Sequence, residues 1–168
     1  HWLVVLVMMH VIAAISLAAP TGALAVGDPV PGDLDSTFGA GGIVTTTIGV
    51  QGGRVEAVAI QSDGKIVTAG HINNGSNDDF ALTRYNANGT LDTTFGEQSN
   101  GVAIIDFGAL SVTDGRMSDS AQGLLVQPDG RILVTGYGGE VSQNQADTHY
   151  AVARLSLQGI PDATFGLN

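Results

Sequence analysis

One six-residue phrase occurs three times in this chain, and such repetition predicts a fold built from copies of one structural unit. The phrase is LDSTFG at Leu34–Gly39, LDTTFG at Leu91–Gly96 and PDATFG at Pro161–Gly166. Between the copies, two other phrases recur in a fixed order, QSDGKIVTAG or QPDGRILVTG and then DFALTRYNANG or HYAVARLSLQG. We therefore expect a first repeat unit over residues 34–90, a second over 91–160 and the start of a third over 161–168.

Each full unit contains four runs that are rich in β-branched and apolar residues, which is typical of short strands. Asp63-Gly64 and Asp129-Gly130 separate the second and third runs, and Asp-Gly between such runs is a strong hairpin signal. Several runs are apolar on both faces, as in a sheet that is covered on both sides. The predicted strands are Ile43–Ile48, Val55–Gln61, Lys65–His71 and Phe80–Asn86, then Val102–Phe107, Gly123–Gln127, Arg131–Tyr137 and Tyr150–Leu157.

Four antiparallel strands in each of several units predict an all-β chain that forms two four-stranded blades of a β-propeller. A β-helix is the alternative, but its rungs are shorter than the 57 residues between Phe38 and Phe95. Two blades do not close a ring, so we expect a part of a larger one. Further blades in the same chain or self-association would complete it.

The repeated phrases resemble the delta-60 repeat, a bacterial repeat that is assigned to a β-propeller domain of unknown function. The resemblance rests on LDxTFG followed by Gly42-Ile43-Val44, on QxDGKIV, and on DFALTRYNxxGxLDxTFG, and it covers about residues 33–167. It implies an exported propeller-like module with no agreed activity and no catalytic residues to transfer. The second unit departs from the pattern, with GEQSNGVAII where the first has GAGGIVTT.

We interpret each LDxTFG copy as a structural hinge between consecutive units. Its Asp and Thr would fix a turn through backbone N–H groups, its Phe would fill space between blades, and its Gly would release the chain into the next strand. A ring of the three aspartates as a metal or acid–base site is the alternative. The hinge residues are Asp35, Thr37, Phe38 and Gly39, then Asp92, Thr94, Phe95 and Gly96, then Asp162, Thr164, Phe165 and Gly166.

Arg84 and Arg154 occupy equivalent places in the last strand of each unit, where we expect them to pair with a carboxylate between blades. Binding of a ligand is the alternative. Asp63, Gly64, Asp129 and Gly130 belong to the hairpin turns.

A binding surface is predicted where the units differ in length, because insertions in repeats often mark the binding face. The second unit has nine more residues between its first and second strands and four more between its third and fourth. Both loops would emerge at one end of the blades. Asn and Asp oxygens there could hold Ca²⁺, although no spacing matches an EF-hand, and no other cofactor is expected. The candidate binding residues are Asn73, Asn74, Asn77, Asp78, Asp79, Asp114, Asp119 and Asp147.

Composition restricts the function further. A formal net charge of −10 argues against a nucleic-acid partner, and a chain without cysteine has no thiolate site. No motif of catalytic groups is present. We predict a non-enzymatic scaffold that binds an unknown protein or glycan. The alternatives are a glycan-active hydrolase or lyase that uses Asp78, Asp114 and Asp119, and a Ca²⁺-stabilised surface module.

The first residues differ in kind from the rest. Trp2–Ala19 contains no Asp, Glu, Lys or Arg, and Ala23-Leu24-Ala25 is a small-x-small sequence of the kind that signal peptidase cleaves. We expect a secretory signal over 1–25, cleavage after Ala25 and a short linker over 26–33. The mature chain would be secreted, periplasmic or at the cell surface, without stable membrane insertion. An uncleaved anchor is the alternative.

Overall fold

The computed structural model describes residues 31–107, 118–142 and 145–166. Within them, the regular elements are seven β-strands. They are β1 (Gly53–Ile60), β2 (Ile66–Asn73), β3 (Asp78–Tyr85), β4 (Val102–Ile105), β5 (Ser120–Val126), β6 (Ile132–Ser142) and β7 (Gln145–Leu155). No helix in these ranges is long and apolar enough to cross a membrane.

The strands form two antiparallel sheets. The first sheet has the order β1-β2-β3-β4 and the second has the order β5-β6-β7. Neither sheet curls onto itself or onto the other to close a ring. The prediction of an all-β chain with antiparallel, propeller-type blades is therefore confirmed, with four strands in one sheet and three in the other.

The sheets are offset by one strand from the repeat units. β4 lies in the second unit, yet it pairs with β3 of the first, with Thr83 opposite Val102 and Phe80 opposite Ile105. The chain reaches this position because the hinge returns it alongside β3, where the Asp92 N–H donates to the Arg84 carbonyl at 2.8 Å. The bounds of the repeat units themselves stay a prediction.

The prediction of a strand over Ile43–Ile48 is wrong for this structure. The segment forms one isolated bridge, between Gly39 and Ile43, and belongs to neither sheet. Its hydrogen bond to the sheet comes from a side chain, because the Tyr85 hydroxyl donates to Thr46 Oγ1 at 2.8 Å. In the repeat, this segment corresponds to β4, so its pattern is that of a strand without a neighbouring sheet to join.

Asp-Gly turns join β1 to β2 and β5 to β6. Gly64 has φ 82° and Gly130 has φ 85°, a conformation in which a side chain would be strained. The carboxylates of Asp63 and Asp129 accept the backbone N–H groups two residues later, at 3.1 and 3.0 Å. The two hairpins are therefore closed by the same local interactions.

The core lies between the two sheets, where β5 packs against β1, β2 and β3. Phe80, Leu82 and Phe95 of the first part of the chain are fully buried against Ile132 and Val134 of the second sheet. Their burial removes large apolar side chains from water and is the main force that joins the sheets.

The loss of Phe95 should destabilise the protein far more than the loss of Phe165. Phe95 is 0% exposed and Phe165 is 36% exposed, although both occupy the same place in the hinge. We expect Phe95→Ala to lower the free energy of unfolding by about 3–5 kcal/mol, and Phe165→Ala by less than half of that loss. Urea denaturation at neutral pH measures both. Equal losses would contradict the assignment of Phe95 to the core between the sheets.

Candidate functional site

The second hinge is fixed by its own aspartate. Asp92 Oδ1 accepts the backbone N–H of Thr94 at 3.0 Å and the Thr94 hydroxyl at 2.7 Å. The same pair of bonds joins Asp35 to Thr37 and Asp162 to Thr164. All three copies of the phrase therefore form the same Asx-type turn.

Arg84 connects the second hinge to both sheets. Its Nε donates to Asp92 Oδ2 at 2.8 Å, and its Nη2 donates to the Thr94 hydroxyl at 3.2 Å. Its Nη1 donates to the carbonyl of Leu157, which follows the last strand of the second sheet. The guanidinium also lies 4.7 Å from the centre of the Phe95 ring. We call Arg84, Asp92, Thr94 and Phe95 the hinge node.

Arg154 makes the matching contacts at the third hinge, but in a more exposed setting. It pairs with Asp162 at 2.8 Å and lies 4.7 Å from the centre of the Phe165 ring. The Arg154 and Asp162 side chains are 21% and 16% exposed, whereas those of Arg84 and Asp92 are 4% and 6% exposed. The two arginines therefore have one geometry and two degrees of burial.

These contacts lower the pKa of the hinge aspartates. Burial alone would raise the pKa of Asp92, but the Thr94 hydrogen bonds, Lys65 and Arg84 together bring it well below its ordinary value of 3.8. Hydrogen bonds from Thr164, with help from Arg154, lower the pKa of Asp162 to about 2. Both carboxylates are therefore charged at neutral pH, as ion pairs require.

The predicted binding residues around the turn between β2 and β3 lie together and bond to one another. The amide of Asn73 donates to Asp78 Oδ1 at 2.8 Å. The amides of Asn74 and Asn77 donate to the two carboxylate oxygens of Asp79, at 2.8 and 3.0 Å. The turn is thus closed by a network of side chains.

Asp119 joins this turn from the second sheet. Its backbone N–H donates to the Asp78 carbonyl at 2.7 Å, and its Oδ2 accepts the Phe107 N–H at 2.9 Å. One carboxylate oxygen from each of Asp79, Asp106 and Asp119 lies within 4.8 Å of the other two. Sequence reasoning did not include Asp106. Its position just after the apolar run of β4 is a signal, but the residue at the same place in the first unit is Thr47.

The three carboxylates do not by themselves define a metal site. Burial raises the pKa of Asp79, and the charges of Asp106 and Asp78 add to the rise, while Asn74 and Asn77 oppose it. Asp106 and Asp119 also make further interactions of their own. Three carboxylate oxygens at this spacing could ligate Ca²⁺, and Ca²⁺ binding stays a prediction of the sequence.

Two predicted binding residues have no described side chain. Asp114 lies outside the described residues. Asp147 lies in β7, where its backbone is opposite Glu140, and its side chain is outside what the structure describes. The β6–β7 ladder extends to the pair Ser142 and Gln145, which accounts for the four extra residues of the second unit.

A cleft that the sequence did not predict lies on the first sheet. It has a volume of about 260 Å³ and lies between residues 46–48 and the sheet. The hydroxyl-bearing residues Thr46, Thr68, Thr83 and Tyr85 line it together with Gly70. Arg54 and His71 also line the cleft, so hydrogen-bonding groups of several kinds face it.

Strand pairing, hinge and hairpins together define a protein of the β-propeller class. A family model described as "Domain of unknown function (DUF5122) beta-propeller" matches residues 61–95 and 127–165. These two segments thus carry repeats of this β-propeller family of unknown function, which confirms the resemblance to the delta-60 repeat. Neither a search of curated proteins nor a search of solved structures found a match.

The ion pair of the hinge node should give a pH-dependent part of the stability. Because the pKa of folded Asp92 lies below 3.8, this part is fully present above that pH and is lost as the pH falls toward the folded pKa. We expect Asp92→Asn to cost about 3 kcal/mol at pH 7, and the gap to the wild type to narrow below about pH 4. Urea denaturation of the wild type and the variant at a series of pH values measures this difference in the free energy of unfolding. Asp162→Asn is the matched control and should lower the free energy of unfolding by less. A difference between the wild type and Asp92→Asn that does not change with pH would rule out the ion pair of Asp92 with Arg84.

Proposed function

We propose that this β-propeller module is a non-enzymatic scaffold that binds a protein or a glycan through one end of its sheets. We call this the loop end; it comprises residues 73–79, 106–107 and 118–119 and the β6–β7 hairpin beyond Gly138. The observation that carries the proposal is that described residues flanking the two longer connections of the second unit lie together, with Phe107 bonded to Asp119 and both next to Gly138. The bond from the Asp119 N–H to the Asp78 carbonyl joins the turn between β2 and β3 to the start of β5.

Burial favours binding over catalysis at this end. A catalytic carboxylate must touch the substrate, whereas Asp79 is 4% exposed and Asp119 is 0% exposed. The hydrolase or lyase alternative relied on Asp78, Asp114 and Asp119. Asp78 already accepts a hydrogen bond from Asn73. The exposed residues of the turn, Asn74, Gly75 and Ser76, are suited to contact with a polar surface.

Binding should depend on the hairpin that makes the second unit longer. Deletion of Ser142–Gln145 shortens it to the length of the β2–β3 connection. On an array of bacterial polysaccharides and immobilised peptides, we expect the wild type to bind one probe class and the deletion variant to bind it at least about tenfold more weakly. The midpoint of urea unfolding should not change.

The same preparation should show no turnover of polysaccharide, peptide or ester substrates. Turnover that disappears in Asp78→Asn would replace the scaffold with the hydrolase or lyase alternative. Binding that the deletion leaves unchanged would contradict the assignment of the loop end.

We also propose that the protein is exported and that residues 1–25 are removed. The support is the uncharged apolar run followed by Ala23-Leu24-Ala25. When the chain is expressed in a bacterium behind a start Met, sequencing of the exported protein should give Val26 as its first residue. Ala25→Arg should block the cleavage. A membrane-bound product that retains residues 1–25 would support the anchor instead.

A further inference from the structure

The two sheets can be compared position by position because their strands pair in the same register. Ile66 lies opposite Tyr85 in the first sheet, as Ile132 lies opposite Leu155 in the second. A register shift follows Val55 in β1, and the same shift follows Ala121 in β5. Every residue of β2 and β3, and every residue of β1 after Gly53, therefore has a counterpart in the second sheet.

One face of the second sheet is uncovered in the part of the chain that the structure describes. In the first sheet, Phe80 and Leu82 are both 0% exposed because the second sheet covers them. Their counterparts Tyr150 and Val152 are 100% and 49% exposed. We call the surface of Tyr150, Val152 and Phe165 the outer face. An exposed apolar surface of this kind marks an interaction site.

The first sheet also has an exposed apolar surface, on the side that faces away from the second sheet. Ala121 in β5 is 0% exposed, whereas its counterpart Val55 in β1 is 60% exposed, and Val58 and Ile60 next to it are 64% and 70% exposed. The cleft of about 260 Å³ lies beside Val55 and Gly70. We call the exposed surface of Val55, Val58 and Ile60, together with the buried Gly70 that lines the cleft beside them, the inner face.

Contacts within the chain show how these two faces fit together. A Cβ atom on Gly136 would lie 2.7 Å from Phe80 Cζ, so the ring packs directly on this glycine. The counterparts of Phe80 and Gly136 are Tyr150 on the outer face and Gly70 on the inner face. The exposed Tyr150 ring therefore occupies the position of Phe80 in its sheet. The cleft beside Gly70 occupies the position at which Phe80 packs on Gly136.

We propose that the outer face of one copy of this chain binds the inner face of a second copy, head to tail. Tyr150 of the first copy enters the cleft beside Gly70 of the second, as Phe80 packs on Gly136 within the chain. The contact is heterologous, so repeated copies give a closed ring or a filament. This inference does not depend on binding at the loop end.

Among the described residues, β7 is an edge strand of the second sheet. The strand that a second copy would add there can be inferred from the pairing of β4 with β3. β4 pairs with β3 through Thr83–Val102 and Phe80–Ile105. The counterpart of β4 is the segment Ile43–Ile48, which belongs to neither sheet. In the assembly, this segment of the second copy adds to β7, with Ile43 opposite Ala153, and covers an edge that would otherwise pair at random.

The third hinge then takes the place of the first hinge of the second copy. Gly39 N–H donates to the Asn88 carbonyl, as Gly96 N–H donates to the Gln158 carbonyl. Gly166 of the first copy is the counterpart that would reach Asn88 of the second. Residues 161–166 are held by the pair of Arg154 with Asp162, and residues 34–39 lack a described ion pair, so the latter segment is the one displaced.

Cysteine cross-linking tests the register directly, because the chain has no cysteine of its own. His71 Nδ1 and Ser120 Oγ lie 3.2 Å apart across the two sheets. Their counterparts across copies are Tyr137 of the first and Arg54 of the second. Full chains carrying Tyr137→Cys and Arg54→Cys are purified separately in a mild detergent and then mixed under gentle oxidation.

A disulfide-linked dimer should form in the mixture, and its yield should exceed the yield of dimer from either variant alone. Light scattering of the unmodified chain should show a mass that rises with protein concentration. Val152→Asp should weaken this association at least about tenfold, because it places a charge where the contact between copies would bury a valine. Ile160→Asp is the control, since both Ile160 and its counterpart Thr90 are exposed.

A monomer at every concentration, or cross-linking in the mixture no stronger than in the single variants, would overturn the proposal. An equal effect of Val152→Asp and Ile160→Asp would also overturn it. Circular dichroism of both variants must match the wild type, which separates lost association from lost folding.

Discussion

The buried contact between Arg84 and Asp92 lies where the first sheet, the hinge and the second sheet meet. A guanidinium that is 4% exposed must have its charge paired and its N–H groups bonded. Asp92 balances the charge, Thr94 accepts one N–H group, and the Leu157 carbonyl accepts another from across the sheet interface. Because Asp92 follows Arg84 by eight residues, as Asp162 follows Arg154, the phrase and the arginine form one structural unit that each repeat needs.

The hinge node joins the two sheets because the repeat units and the sheets are offset by one strand. The second hinge carries the chain out of the first sheet and turns it back to supply β4, the last strand of that sheet, before the chain continues to the second sheet. The first sheet is complete because β4 arrives from the second unit. The second sheet ends at β7, and its Tyr150 and Val152 are exposed where Phe80 and Leu82 are buried. Strand exchange between units thus explains both the cohesion of the two sheets and the position of the open face.

Features set by neighbouring residues could be predicted from the sequence, and features set by distant contacts could not. The turn at Asp63-Gly64 depends on local hydrogen bonds and a positive φ, so the sequence identifies it. Ile43–Ile48 has the pattern of a strand, but pairing needs a second sheet beside it. Asp106 was missed because its approach to Asp79 and Asp119 arises from the packing of three separate segments.

A double-mutant cycle on Arg84 and Asp92 measures the central interaction most directly. The single variants Arg84→Met and Asp92→Asn and their combination give the coupling energy from urea denaturation, and the same cycle on Arg154 and Asp162 serves as the reference. We expect a coupling of about 2 kcal/mol for the buried pair, and less than half of it for the exposed pair. Coupling energies of equal size for the two pairs, or no coupling between Arg84 and Asp92, would contradict the claim that the hinge node joins the sheets.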